Sequence, residues 1–167
     1  MNSLLSPTGI FKRACGVDFA PPRASIIMNS LSPGEMNGPR PLKCFLVEDS
    51  PVIRLSLIAT LEEMLSMQVV GTAEDEPSAV TWLATSTQDC DLMIIDIFLK
   101  SGTGLEVLKQ ARVRRPDTRL VVLTNYATPD MRKRCAQLGA DRVFDKSAEL
   151  DELLDYCQGL GSAPEDV

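Results

Sequence analysis

The 167-residue chain has no histidine, one tryptophan, two tyrosines and five phenylalanines. Without an imidazole there is no phosphohistidine step within the chain and no Cys/His zinc set. Five cysteines, at positions 15, 44, 90, 135 and 157, are odd in number and form no Cys-x-x-Cys pair. They read as reduced thiols of a cytoplasmic protein, not as a disulfide framework. No apolar run approaches the roughly 18 residues of a membrane span. The first stretch is broken by Pro7, Gly9 and the Lys12-Arg13 pair, so neither a secretion signal nor a membrane partner is expected. Positive charge is also scarce. Seventeen Lys and Arg stand against 23 Asp and Glu, a net charge of −6, and a basic face for phosphates is not expected. On that ground the partners should not include directly bound DNA.

What is present points to one folded unit. With 44% hydrophobic residues, the chain can bury a core of ordinary size. Residues 1–40 differ from the remainder, being rich in Pro, Ser, Gly and Asn without helical or strand periodicity. They read as a flexible, disordered tail of net charge +2, which leaves −8 on the remaining residues. Within it, "MNSLLSPTG" at 1–9 is nearly repeated by "MNSLSPGE" at 28–35. Met28 and Met36 offer alternative translation starts, and a transit peptide is a weaker reading. The folded domain is expected over 41–160, with a disordered end at 161–167 and no second domain after the first.

From residue 42 an alternation sets in. "LKCFLVED" precedes "SPVIRLSLIATLEEMLSM", in which Ser50 is suited to cap a helix and Pro51 to begin it. Four further strand–helix pairs follow: "QVVGTAE" and "EPSAVTWLATS", "DLMIIDIF" and "GLEVLKQARVR", "RLVVLTNY" and "TPDMRKRCAQLG", "DRVFDK" and "AELDELLDYCQG". Continuous apolar runs such as "LMII" and "LVVL" mark strands buried on both faces, hence a parallel sheet covered by helices. Right-handed crossovers make this a doubly wound α/β fold. Trp82 should pack the second helix onto the sheet.

In such a sheet ligands bind at the carboxyl ends of the strands. Strand one ends in Glu48-Asp49, strand three in Asp96, strand four in Thr124, and strand five reaches Lys146. Each alone has a plain explanation, an acid as a helix cap or a lysine on the surface. Together they bring three acids, a hydroxyl and an ammonium to one edge. Crowded carboxylates repel unless a divalent cation sits among them, and oxygen donors suit Mg²⁺. Asp49 and Asp96 would be direct ligands, Glu48 would act through water or by orienting it, and the backbone carbonyl near Phe98 would add an oxygen. An aspartate beside such a metal can also be a nucleophile, with Lys146 and Thr124 matched to a phosphoryl group on Asp96.

Residues 42–158 resemble the receiver domain of two-component response regulators, and "GAD" at 139–141 fits that pattern. The resemblance implies a flavodoxin-like fold with five parallel strands in the order 2-1-3-4-5. It implies that Asp96 accepts phosphate from a histidine kinase or phosphotransfer protein, with Glu48 and Asp49 as the acidic pair. Thr124 becomes the switch hydroxyl and Lys146 the phosphate partner. The protein would be a stand-alone signalling switch that takes part in its own Mg²⁺-dependent phosphorylation and dephosphorylation. It would act on an unknown target protein, and a phosphorylation-dependent homodimer is left open.

Several positions depart from the family pattern. Val143 stands where many relatives carry the aromatic that moves on activation, which leaves the switch role open between Val143 and Tyr126, the latter either a substitute signalling aromatic or simply a loop residue. Ser147 replaces the proline common after the lysine, which puts the family's cis peptide in doubt. Lys100 also stands where a proline is frequent. Phe98 and Tyr126, each two residues beyond a site residue, are placed to crowd the hydrolytic water and lengthen the life of the phosphorylated state. "DMRKRC" at 130–135 reads either as a basic patch or as a solvated face. Among other classes, a phosphate-independent interaction scaffold would have lost the acids, Thr124 and Lys146, all of which are present. A haloacid-dehalogenase-type phosphatase needs a second Asp where Phe98 stands. A flavodoxin-type electron carrier would repel its flavin phosphate at Glu48-Asp49.

Overall fold

A computed structural model of the chain describes residues 40–162. Of the end segments expected at 1–40 and 161–167, all but Arg40, Gly161 and Ser162 lie outside the described residues. The strands are β1 (Lys43–Val47), β2 (Gln68–Ala73), β3 (Leu92–Ile95), β4 (Arg119–Thr124) and β5 (Arg142–Asp145). The helices are α1 (Pro51–Leu65), α2 (Glu76–Thr85), α3 (Gly104–Arg114), α4 (Pro129–Gln137) and α5 (Leu150–Gly161). All four strand pairings are parallel, and the order is β2-β1-β3-β4-β5, as expected.

Helix starts follow the capping residues. Ser50, Asp75 and Thr128 accept from the backbone N–H three residues on, each followed by a proline in the first turn of α1, α2 and α4. Side chains alternating along the strands divide the core in two. Phe45, Val47, Met93, Ile95, Leu120 and Val122 point to one face, where α2, α3 and α4 pack through Ala79, Leu83, Val107, Leu108, Ala111 and Cys135. Cys44, Leu46, Leu92, Ile94, Val121 and Leu123 point to the other, against Leu57 and Leu61 of α1 and Leu153 and Cys157 of α5. Trp82 stacks on Phe45 with ring centroids 3.8 Å apart, fixing α2 to the sheet as anticipated. Such a stack contributes about 0.5–1.5 kcal/mol beyond the area it buries.

Chain order reverses between β1 and β3: one leads outward to β2, the other to β4 and β5. The loops leaving β1 and β3 therefore part to opposite sides and open a crevice at the carboxyl edge. Among the described residues no helix is long and apolar enough to cross a membrane.

Candidate functional site

The crevice gathers the strand-end residues. Glu48 follows β1 and is 1% exposed; Asp96 follows β3 and is 6% exposed. Their backbones are fixed by sheet-type bonds, Glu48 N–H donating to the Ala73 carbonyl and Asp96 N–H to the Val47 carbonyl, both at 2.9 Å. Lys146, just beyond β5, reaches across the sheet. Its Nζ lies 2.6 Å from Glu48 Oε2 and 2.7 Å from Asp96 Oδ2, with 8% of the side chain exposed. Burial works against this charge, but hydrogen bonds from the ammonium to Asp96 and Glu48 outweigh it and hold the pKa above the ordinary lysine value. Glu48 Oε1 accepts from Ser50 N–H at 3.1 Å, and Asp96 Oδ1 from Phe98 N–H at 3.4 Å.

Asp49 completes the acidic group. Glu48, Asp49 and Asp96 each bring a carboxylate oxygen within 4.8 Å of the others. Three carboxylates against one ammonium leave two negative charges uncompensated when all are ionised. Hard oxygen donors in that balance fit a small divalent cation.

Thr124, at the end of β4, is fully buried, and its Oγ1 accepts from Tyr126 N–H at 3.4 Å. Tyr126 is 55% exposed and Phe98 57%; their rings meet edge to face with centroids 5.9 Å apart at the rim of the crevice. Val143 is half-buried and packs against the core on the face of α2, α3 and α4, paired with Val122 of β4. Phe144 turns to the other face against Tyr156. The Lys146–Ser147 peptide is trans. Of the basic residues in "DMRKRC", Arg132 turns inward to the Ala127 and Val143 carbonyls and to Glu149, leaving Lys133 and Arg134 exposed.

Three contacts were not read from the sequence. Arg54, in the first turns of α1, donates to the Glu48 carbonyl at 2.7 Å. Glu74 pairs with Lys100 at 3.1 Å, and Glu76 accepts from Thr103 N–H at 2.8 Å. A basic residue one turn into the helix after the acidic pair is a weak signal for the first. The other two join segments more than 25 residues apart and leave no local pattern.

Similarity to known proteins agrees with this geometry. The DNA-binding transcriptional activator DevR/DosR of Mycobacterium tuberculosis is 27% identical over 121 residues, 72% of this chain and 55% of that protein. The phosphorylated cyanobacterial phytochrome response regulator RcpA is 27% identical, with a TM-score of 0.59 over 72% of this chain and 91% of that one. RcsB from Salmonella enterica serovar Typhimurium, solved bound to the promoter rprA with a phosphomimetic, shares the fold at 20% identity, with a TM-score of 0.61 over 70% of this chain and 65% of that one. This chain spans about half the length of the first curated relatives it matches.

These relatives overturn the expectation that direct DNA binding has no place among the partners. DevR/DosR is a DNA-binding activator, and RcsB is seen on a promoter. Net charge was the wrong guide because it weighs only the residues of this chain, whereas those proteins are longer than the part it matches. Residues 44–158 match the family model described as the response regulator receiver domain. With this match covering most of its length, and with the parallel five-stranded sheet carrying the acidic group at its carboxyl edge, the chain belongs to the response regulator receiver domain family.

Proposed function

We propose that Asp96 is the phosphoacceptor of a cytoplasmic signalling switch, charged from a histidine kinase or phosphotransfer protein in the presence of Mg²⁺. The activity is assigned to residues 41–160, with 1–40 outside it. The observation that carries this reading is the joint grip of Lys146 on Asp96 and Glu48 beside a three-carboxylate cluster. A carboxylate oxygen of Asp96 attacks phosphorus as the donor's P–N bond breaks, forming a P–O bond to Asp96 and returning the electron pair to the imidazole. Glu48, Asp49, Asp96 and the Phe98 carbonyl would hold the metal, which neutralises charge shared between these acids and the incoming phosphoryl oxygens.

Lys146 is already placed to follow the charge as it moves from Asp96 onto the phosphoryl group. Thr124 supplies a hydroxyl at the neighbouring strand end. Because its Oγ1 holds the Tyr126 N–H, a shift of that hydroxyl toward the phosphoryl group pulls on the loop after β4. Tyr126, exposed and linked to Thr124, therefore suits the switch role better than Val143, whose half-buried side chain packs against the core. The output is a change in what the β4–α4–β5–α5 face presents to a target, as one of two packings becomes favoured. The test is incubation with Mg²⁺ and acetyl phosphate, read by intact mass. One phosphoryl group on the wild type and none on Asp96→Ala is the expected result; label on both would remove Asp96 from the role.

A further inference from the structure

The loop between Asp96 and α3 carries the Phe98 carbonyl, and it is held in an unexpected way. Phe98 and Thr103 form an antiparallel bridge, and Gly104 N–H donates to the Ile97 carbonyl at 2.9 Å. Gly104 packs so closely on the Asp96 carbonyl that a Cβ there would overlap it. Thr103 caps α3 through its side chain, and Glu106 lies three residues on, the spacing of a local capping box. In that motif Glu106 would reach back to Thr103 N–H. Here it bonds to Gln110 Nε2 at 2.9 Å instead, and Thr103 N–H goes to Glu76 Oε2, on another helix, at 2.8 Å. Glu76 closes the contact from its own backbone, its N–H donating to the Ser101 carbonyl at 3.0 Å.

The result is a two-point tie between the first turn of α2 and the loop. Each bond satisfies a helix-terminal N–H that has no partner within its own helix. Glu74 and Lys100 add an exposed ion pair beside it, worth little on its own. Gly102, at φ +74°, sits directly against Glu76: a Cβ there would meet the Glu76 Cβ and carboxylate. Lys100 stands where the family resemblance leads one to expect a proline, so this loop lacks that internal stiffener and is braced from α2.

We propose that Glu76 is a positioning residue for the metal site, acting through Thr103 and the Thr103–Phe98 bridge to fix the loop that bears the Phe98 carbonyl. The inference rests on the metal-dependent reading of the site given above. Because the Thr103 side chain still caps α3 through Leu105 N–H, loss of the Glu76 tie should spare the helix and loosen the loop.

The test is a calorimetric Mg²⁺ titration of the unphosphorylated full chain, with urea unfolding in EDTA run in parallel. Glu76→Ala should weaken Mg²⁺ about tenfold, within the span typical of residues that orient metal ligands, while the urea midpoint stays near that of the wild type. Glu76→Gln keeps an acceptor for Thr103 N–H without the charge, and it should bind Mg²⁺ within about twofold of the wild type if geometry decides. Unchanged affinity in Glu76→Ala, or equal loss in the Ala and Gln variants, overturns the positioning role while leaving the metal site standing. A wild type that takes up no Mg²⁺ overturns the metal reading itself and this inference with it.

Discussion

Replacing Lys146 by Met removes the one ammonium from a group of three acids, of which Glu48 and Asp96 are buried, while keeping a side chain of similar length. Glu48 and Asp96 would lose contacts of 2.6 and 2.7 Å, and neither has another cation among the contacts seen here. Deleting one partner of a buried ion pair costs about 3–5 kcal/mol, because the remaining charge is left in a poorly solvated place. Asp49, on the more open side of the group, allows some water to relieve the strain, so a value near the lower end, about 3 kcal/mol, is expected. A domain of ordinary stability, about 5–15 kcal/mol, survives that loss. The assay is urea unfolding in EDTA, where the midpoint falls and the slope is unchanged. Saturating Mg²⁺ should then restore a larger share of stability to the variant than it adds to the wild type, since the cation replaces the missing charge. At a hundred times its dissociation constant a ligand contributes about 2.7 kcal/mol. A loss below about 1 kcal/mol in EDTA would place Lys146 in the class of exposed pairs and refute the reasoning.

Other outcomes follow from the same contacts. Phe98→Asn or Tyr126→Ala opens the rim and should speed decay of the phosphorylated protein severalfold; decay rates equal to the wild type would remove these rings from control of the hydrolytic water. Hydrogen bonds from Arg40, together with that from Lys43 N–H, hold Asp91 below its ordinary value of 3.8. A depressed carboxyl adds stability that is fully present above the unfolded value and lost as pH falls through the folded one. Asp91→Asn should therefore cost about 1 kcal/mol at pH 7, with the gap to wild type closing only in acid below 3.8; a gap independent of pH would contradict this. Burial pushes the thiol of Cys157 up to about 12 and that of Cys90 up to about 11. Iodoacetamide near pH 8 should leave peptides bearing both unlabelled in the native protein and label them in urea, and rapid native labelling would count against their burial.

The fold was legible because strand and helix signals agreed at every step. Runs such as "LMII" and "LVVL" required burial on both faces, and Ser50-Pro51 marked a helix start that the structure keeps. The acidic group was legible for a different reason: in a parallel sheet, the residue after each strand is carried to a common edge whatever the loops do. Connections set by tertiary placement were not legible. Thr103 and Glu106 have the spacing of a local cap, yet Thr103 N–H is taken by Glu76 across 27 residues. Arg132 lies in "DMRKRC", read as either a basic patch or a solvated face, but its guanidinium folds onto Glu149, 17 residues away. Net charge failed as a guide to DNA because it describes only the residues of this chain, which spans about half the length of the DNA-binding relative DevR/DosR.

The most direct test of the account is to locate the phosphoryl group. After reaction with acetyl phosphate and Mg²⁺, borohydride reduces an aspartyl phosphate to homoserine, and peptide sequencing by mass spectrometry reads where the change falls. Homoserine is expected at position 96 alone, with none formed when Mg²⁺ is removed by EDTA. Reduction at Asp49, or an Asp96 that stays intact while the protein carries phosphate, would contradict it.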